Sequence, residues 1–271
     1  MESKHKTKYD NIFDAAAEGS VKDVRFFLEQ GADISATDGT ESGLTPLFYA
    51  AASNPNVEVL KYLVETGADV NVENNEGWTA FHFASAYSSN IEVLKYLVGK
   101  GVNVNVKAFF GDTPLHAACT YSNLVVVKYL IEAGANVNAR TNDAITPLHS
   151  AAADNLDVEV VKYLVEKGAN VHAKNNEGET PLHLCAEKNS NLYVLDYLVS
   201  QGADVNAKSK FGYTPLHFAA RFNTNIDIML YLISRGADVN ANITPYDFAS
   251  TEDKKDFLSE AGGKSGEELS T

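Results

Sequence analysis

The sequence predicts an all-α solenoid: six full copies of a helix–turn–helix unit, with a capping unit at each end. Three observations predict it. A Thr-Pro-Leu-His element recurs at Thr113, Thr146, Thr180 and Thr214, with variants at Thr45 (TPLF), Thr79 (TAFH) and Thr244 (TPYD). A Gly-Ala-Asp-Val-Asn element, or a near copy, starts at Gly31, Gly67, Gly101, Gly134, Gly168, Gly202 and Gly236. The spacing is 33 or 34 residues almost throughout, the mark of a repeat array. Such a chain has no single closed core and grows by stacking, so its 271 residues do not translate into a count of globular domains.

Residues 1–9 form a Lys-rich tail, expected to be disordered. A capping unit follows at about 10–38. It keeps the small-residue run Ala15-Ala16-Ala17 and a second helical face from Val21 to Leu28, but lacks the Pro and His. The complete units cover about 39–74, 75–108, 109–141, 142–175, 176–209 and 210–241. In each, Thr is a good helix N-cap and Pro suits the first helical position, where its missing N–H is no loss. The residue three after Thr is His82, His116, His149, His183 or His217, with Phe48 in the first unit; that spacing lets it reach back to the cap. Small residues then allow the first helices to approach closely. The second helix is announced by Ser20, Asn56, Asn90, Asn123, Asp157, Asn191 or Asn225, all favoured N-caps, and it stops at Gly. The last unit, about 242–262, starts at a Thr 30 residues after Thr214; four residues are missing from the turn before it, and its helices are charged. It reads as a C-terminal cap, and 263–271 as a disordered tail.

These residues carry a resemblance. The pattern T-P-L-H-x-A-A, a second helix, then G-A-D-V-N-A at a period near 33 resembles the ankyrin repeat across about residues 10–262. The resemblance implies antiparallel helix pairs stacked side by side, with β-hairpin-like fingers projecting from them. One departure is systematic: most units carry one residue more than the family norm between their helices, as in Ser53-Asn-Pro-Asn56, while Thr120-Tyr-Ser-Asn123 has the usual length. The extra residue is expected to lengthen a surface loop without altering the stack.

The net charge of −14 disfavours nucleic acid and anionic membrane as partners, which need Lys and Arg against phosphate, and favours a protein partner with a basic surface. No apolar run approaches 18 residues and the N-terminus has no signal-peptide core, so a cytoplasmic monomer is expected. Cys119 and Cys185 lie two repeats apart, roughly 20 Å at about 10 Å per stacked helix pair, too far for a disulfide.

Chemistry finds little support. Histidines spaced roughly 10 Å apart cannot share one ion when each metal bond is about 2 Å, so no metal is expected. Gly262-Gly-Lys-Ser265 lacks the earlier glycine of a phosphate-binding loop, and no hydrolase, zincin or dinucleotide motif is present. No cofactor is expected, and an enzyme is the remote reading. Tyr62, Tyr96, Tyr129, Tyr163, Tyr197 and Tyr231 recur in every unit and therefore read as stacking residues.

Function should sit where units differ. The resemblance implies that partners bind the finger tips and the exposed face of the first helix. The tip residues, the residue before Thr, and the eighth and ninth positions from Thr map that surface. They give Trp78, Ala86, Tyr87, Phe109, Phe110, Thr120 and Tyr121 in one region, and Phe211, Tyr213, Arg221 and Phe222 in another. Asn142, Asp143, Asp154, Asn176, Glu177, Glu179, Glu187 and Lys188 lie between. Trp78, Tyr87, Phe109, Phe110, Tyr121, Phe211, Tyr213, Arg221 and Phe222 are the candidate protein-binding residues, because exposed aromatic clusters and Arg anchor interfaces. Trp78, Tyr213, Phe109 and Phe110 have an alternative: their rings fold back on neighbouring fingers. The function expected is a non-catalytic scaffold; the alternative is an inhibitor or effector that occludes a partner. The resemblance also implies that asparagines such as Asn105, Asn138 and Asn206 match sites of hydroxylation.

Overall fold

The structure, a computed structural model, describes residues 7–121, 124–241 and 244–270. The expected cap Asn123, the start of the last unit at 242 and residues 1–6 of the basic tail lie outside the described residues. The chain forms two compact units, Met1–Asn136 and Val137–Thr271, each a stack of helix pairs. The first contains α1 (Ile12–Glu18), α2 (Val21–Glu29), α3 (Pro46–Ala52), α4 (Val57–Thr66), α5 (Ala80–Tyr87), α6 (Ile91–Gly99), α7 (Pro114–Tyr121) and α8 (Leu124–Glu132). The second contains α9 (Pro147–Asp154), α10 (Val158–Glu166), α11 (Pro181–Lys188), α12 (Leu192–Ser200), α13 (Pro215–Phe222), α14 (Ile226–Ser234), α15 (Pro245–Phe248), α16 (Glu252–Glu260) and α17 (Gly266–Leu269). Among the described residues there is no strand, only an isolated bridge between Glu73 and Thr79.

The helices start where the sequence says they should. Asn56, Asn90, Asp157, Asn191 and Asn225 have extended backbones, and each side chain accepts the N–H two residues on. The second helices end as expected: Gly67, for example, takes φ 118°, which an L side chain rarely adopts. First helices pack on first helices, α1 on α3, α3 on α5 and α5 on α7 in the first unit, α9 on α11 and α11 on α13 in the second. Ala15, Ala51, Ala84, Ala118, Ala152 and Ala219 are fully buried along these contacts, and their small side chains let the backbones approach. The core of each pair comes from residues such as Leu63, Leu97, Leu164 and Leu198, each fully buried and worth about 2 kcal/mol of transfer free energy. The recurrent tyrosines are half-buried, several under a cation: Arg25 lies 5.3 Å from the Tyr62 centroid and Arg235 4.9 Å from that of Tyr231.

Hydrogen bonds join one repeat to the next at four places. The histidines supply the first. Nδ1 of His82, His149 and His183 accepts the N–H of the capping Thr at 3.1–3.2 Å, as predicted. Nε2 then donates to a carbonyl of the following repeat: Asp112 at 3.2 Å, Glu179 at 3.1 Å and Tyr213 at 3.1 Å. The fingers supply the second, through Phe109 N–H to Glu76 O, Asn176 N–H to Asp143 O and Lys210 N–H to Glu177 O. The asparagines of the Asp/Asn-Val-Asn element supply the third. Asn206 donates to Gly236 O at 2.9 Å and accepts from Asp238 N–H at 2.8 Å; Asn105, Asn138 and Asn240 do the same one repeat apart.

The fourth place corrects the expectation for the longer inter-helix loops. They turn a residue inward instead of lengthening the surface. Asn54, Asn189 and Asn223 are buried. Asn189 Nδ2 donates to Ala152 O at 3.0 Å and Asn155 O at 2.9 Å, and Asn223 reaches Ala186 O and Asn189 O in the same way. The physical reason is that the short first helix leaves carbonyls at its C-terminal end without intrahelical partners. A buried amide satisfies them. At the end of the stack Lys254, only 7% exposed, takes this part: its Nζ donates to Ala220 O and Ser250 Oγ, both at 2.9 Å. One joint keeps the finger link, Asn75 N–H to Ser42 O, but shows neither the histidine nor the loop-asparagine bond among the described residues. Phe48 stands in the histidine position, Ser88 in the loop-asparagine position, and their repeats meet through Phe48 and Phe83, with ring centroids 5.1 Å apart.

The chain after 262 also differs from the expected disorder. Lys264 N–H donates to Asn240 Oδ1, Gly266 N–H to Asp247 Oδ2, and Ser265 caps the short α17. The same asparagine bond that joins full repeats holds this segment.

Replacing Asn189 with Ala removes two donors from buried carbonyls. The substitution is expected to cost about 2 kcal/mol, read as a lower urea midpoint with an unchanged m-value. Replacing Asn176 at an exposed finger should cost less than half as much.

Candidate functional site

In Met1–Asn136 the variable positions form a row of rings along the first helices. Phe83 of α5 takes Trp78 edge-on at 5.7 Å; Tyr87 lies 6.0 Å from Phe83, and Tyr121 of α7 lies 5.4 Å from Tyr87. Helical spacing puts Phe83 and Tyr87 on one face, and the packing of α5 on α7 brings Tyr121 alongside. Tyr87 and Tyr121 are exposed. Trp78 is half-buried, its ring centroid 5.4 Å from that of His82, so it forms the back wall of the row. Ala86, grouped with the surface positions in sequence, is buried core, and the Thr120 hydroxyl is tied to His116 O.

The finger carries the other two aromatics. Phe109 and Phe110 are 61% and 68% exposed. Gly77 takes φ 76°, and a Cβ there would collide with the Phe109 ring and backbone nitrogen. Phe109 thus lies over the preceding finger while keeping most of its surface in solvent; Phe110 is the more exposed of the pair.

In Val137–Thr271 the rings surround a cleft of about 210 Å³. Phe211, Tyr213, His217, Phe218, Phe222 and Phe248 line it, with Glu179 and Arg221 as its charged walls. Tyr213 is half-buried, 4.7 Å from Phe248 and 5.7 Å from His217. Phe211 and Phe222 are exposed. The Arg221 guanidinium lies over Phe222 at 5.1 Å and Phe248 at 5.6 Å. A neighbouring cleft of about 280 Å³ is shared by Arg221, Asp247, Phe248 and Ser250. α15 packs on α13 and brings Phe248 against Tyr213 of the 209–213 finger. Sequence reasoning missed Phe218 and Phe248; the degenerate Thr-Pro-Tyr-Asp-Phe248 was the available signal. It also missed exposed apolar residues away from the fingers, such as Tyr193 and Leu156.

Electrostatics divides the two kinds of titratable group. Burial pushes His82 and His183 down to about 4, because a charged imidazole loses its hydration there. Both ring nitrogens of each are engaged in the repeat frame. Burial also pushes the Cys119 and Cys185 thiols up, leaving them inert core residues. Glu187 is raised by burial, and further by the charges of Glu179 and Asp154, against the opposing pull of Lys188.

The stacked helix pairs and projecting turns define a repeat protein. Ankyrin repeats match the chain at residues 12–108, 90–175 and 152–243, and the chain belongs to the ankyrin-repeat family. Among curated proteins it is similar to the ankyrin repeat-containing protein P1E11.10 of Schizosaccharomyces pombe, 38% identical over 73 residues, 27% of this chain and 34% of that one. It is also similar to the potassium channel AKT1 of Arabidopsis thaliana, 35% identical over 65 residues, 24% of this chain and 7% of the channel. The chain thus spans about a third or less of the relatives it matches. No helix among the described residues is long and apolar enough to cross a membrane. Ankyrin repeats are generally protein–protein interaction modules.

The buried histidines give the stack an acid sensitivity. Their folded pKa lies below the unfolded value of 6.5, so the unfolded chain takes up protons first. Stability is full above pH 6.5 and falls as pH drops towards 4, by up to about 3 kcal/mol per histidine. A His82→Gln variant should be less stable than the parent at pH 7.5, and the gap in urea midpoint should narrow steadily down to pH 4.5. A gap independent of pH would rule this out.

Proposed function

We propose that the protein is a non-catalytic, monomeric binding scaffold that holds a partner protein on its finger tips and first-helix face. The observation that carries this is the placement of Tyr87, Phe109, Phe110, Tyr121, Phe211 and Phe222. All six rings are exposed, and all occupy positions that the repeat frame leaves free to vary. The frame residues behind them are consumed by caps and inter-repeat hydrogen bonds, so they serve stacking. An exposed aromatic makes no such contribution and costs solubility, whereas in an interface it supplies large contact area with little side-chain entropy to lose. Trp78 and Tyr213 support these anchors from behind, and Arg221 is pre-stacked on two rings at the edge of the second cluster.

The combined variant Tyr87→Ala, Phe110→Ala, Tyr121→Ala tests the first cluster without touching the buried frame. Its helical circular dichroism and melting temperature should stay close to those of the parent. Recovery of a partner protein by affinity capture should fall at least tenfold. Capture that is unchanged by this variant and by Phe211→Ala with Phe222→Ala would refute the proposal.

A further inference from the structure

We propose that the aromatic cleft in Val137–Thr271 receives a lysine or arginine side chain of the bound protein, its aliphatic stem against the rings and its charge at Glu179, Glu187 and Asp154. The inference rests on the protein-binding reading and narrows it to one partner chemistry at one place. Three features point to a cation. First, the cleft wall is aromatic: Phe211 and Tyr213 lie 6.0 Å apart, and Phe218 lies 6.3 Å from Phe222 and 5.4 Å from His183. Ring faces attract cations, and a long aliphatic stem covers apolar surface while its head stays polar.

Second, a carboxylate lines the cleft and two more interact nearby, none of them in an ion pair among the described residues. Glu179 lines the cleft and its field reaches Glu187, as does that of Asp154. The only side-chain bond to Glu179 among the described residues comes from Asn175 Nδ2, at 2.7 Å. No ion pair joins Asp154, Glu179 or Glu187 to a cation among the described residues, and Lys188 is the only cation opposing the two acidic neighbours of Glu187. A partner cation relieves this repulsion. An anion at the Glu179 wall would meet that carboxylate, on a protein whose net charge is already −14.

Third, Arg221 does not fill the place itself. Its guanidinium lies over Phe222 and Phe248, at 5.1 and 5.6 Å from their ring centroids, and forms no ion pair with Glu179 among the described residues. The other lining rings Phe211, Tyr213 and Phe218 have no Arg or Lys over them among the described residues.

The test titrates the full-length, isotope-labelled protein at 50 mM NaCl with acetylated and amidated heptapeptides. These share a Gly/Ser background and differ only in a central Lys, Arg, Gln, norleucine or Glu. Lys and Arg peptides should shift the amide resonances of Glu179, Tyr213 and Phe218 saturably, with at least tenfold higher affinity than Gln or norleucine. Glu179→Gln with Glu187→Gln should reduce that affinity at least tenfold while leaving the melting curve in place, and 500 mM NaCl should weaken it as well. Equal binding of norleucine (an apolar occupant), preference for Glu, no binding of any peptide, or self-association of the protein through this cleft would each overturn the proposal. The capture assay separates this failure from that of the wider reading. A partner retained by Glu179→Gln with Glu187→Gln but lost on Tyr87→Ala, Phe110→Ala, Tyr121→Ala leaves the scaffold standing and removes the basic side chain.

Discussion

The structure depends on a neutral, buried histidine that bonds in two directions. Nδ1 closes the cap of its own helix and Nε2 reaches the next repeat, so one side chain joins local structure to stacking. A protonated ring would set two N–H donors in a site shaped for one donor and one acceptor, without water to compensate. The depressed pKa of His82 and His183 and the inter-repeat bonds at Asp112, Glu179 and Tyr213 are therefore two views of one constraint. Asn206 and its equivalents, and Asn189 and Asn223 in the loops, repeat the principle. Asn189 and Asn223 satisfy a polar group in their own unit and carbonyls in the neighbouring one, and Asn206 gives both of its side-chain bonds to its neighbour, so no repeat is complete alone.

Much of the frame was legible because it is written in local rules. Asn56, Asn90, Asp157, Asn191 and Asn225 behave as caps for reasons contained within four residues, and the glycines that end helices need only their own φ. What was not legible depends on neighbours a full period away. Asn54, Asn189 and Asn223 read as polar loop residues, and nothing local shows that they point at the open carbonyls of the preceding unit. Lys254 in a charged helix reads as solvent-exposed, yet it closes the last set of those carbonyls. The same limit applies at the surface. Offsets from Thr located Tyr87, Phe110, Tyr121 and Phe222 on exposed positions. They could not show that Trp78 and Tyr213 pack on the histidines behind them, that Ala86 is core, or that Phe248 lines a cleft with Tyr213.

The two aromatic clusters differ in physical character. The row from Phe83 to Tyr121 runs along neighbouring helices and offers rings with hydroxyls at the edge, a surface for a broad apolar contact. The rings around Tyr213 enclose a cleft with opposite charges on its walls, a shape for single side chains. An ankyrin stack combines such elements without strain because the variable positions lie outside the hydrogen-bonded frame.

One joint departs from that frame, between the repeats that contribute Phe48 and Phe83. There the histidine is replaced by phenylalanine, and the loop asparagine by Ser88, so ring packing does what buried hydrogen bonds do elsewhere. Hydrophobic burial draws its strength from water and weakens on cooling, while hydrogen bonds do not share that dependence. The joint at Phe48 and Phe83 therefore leans more on apolar burial, and that share of its stability weakens on cooling.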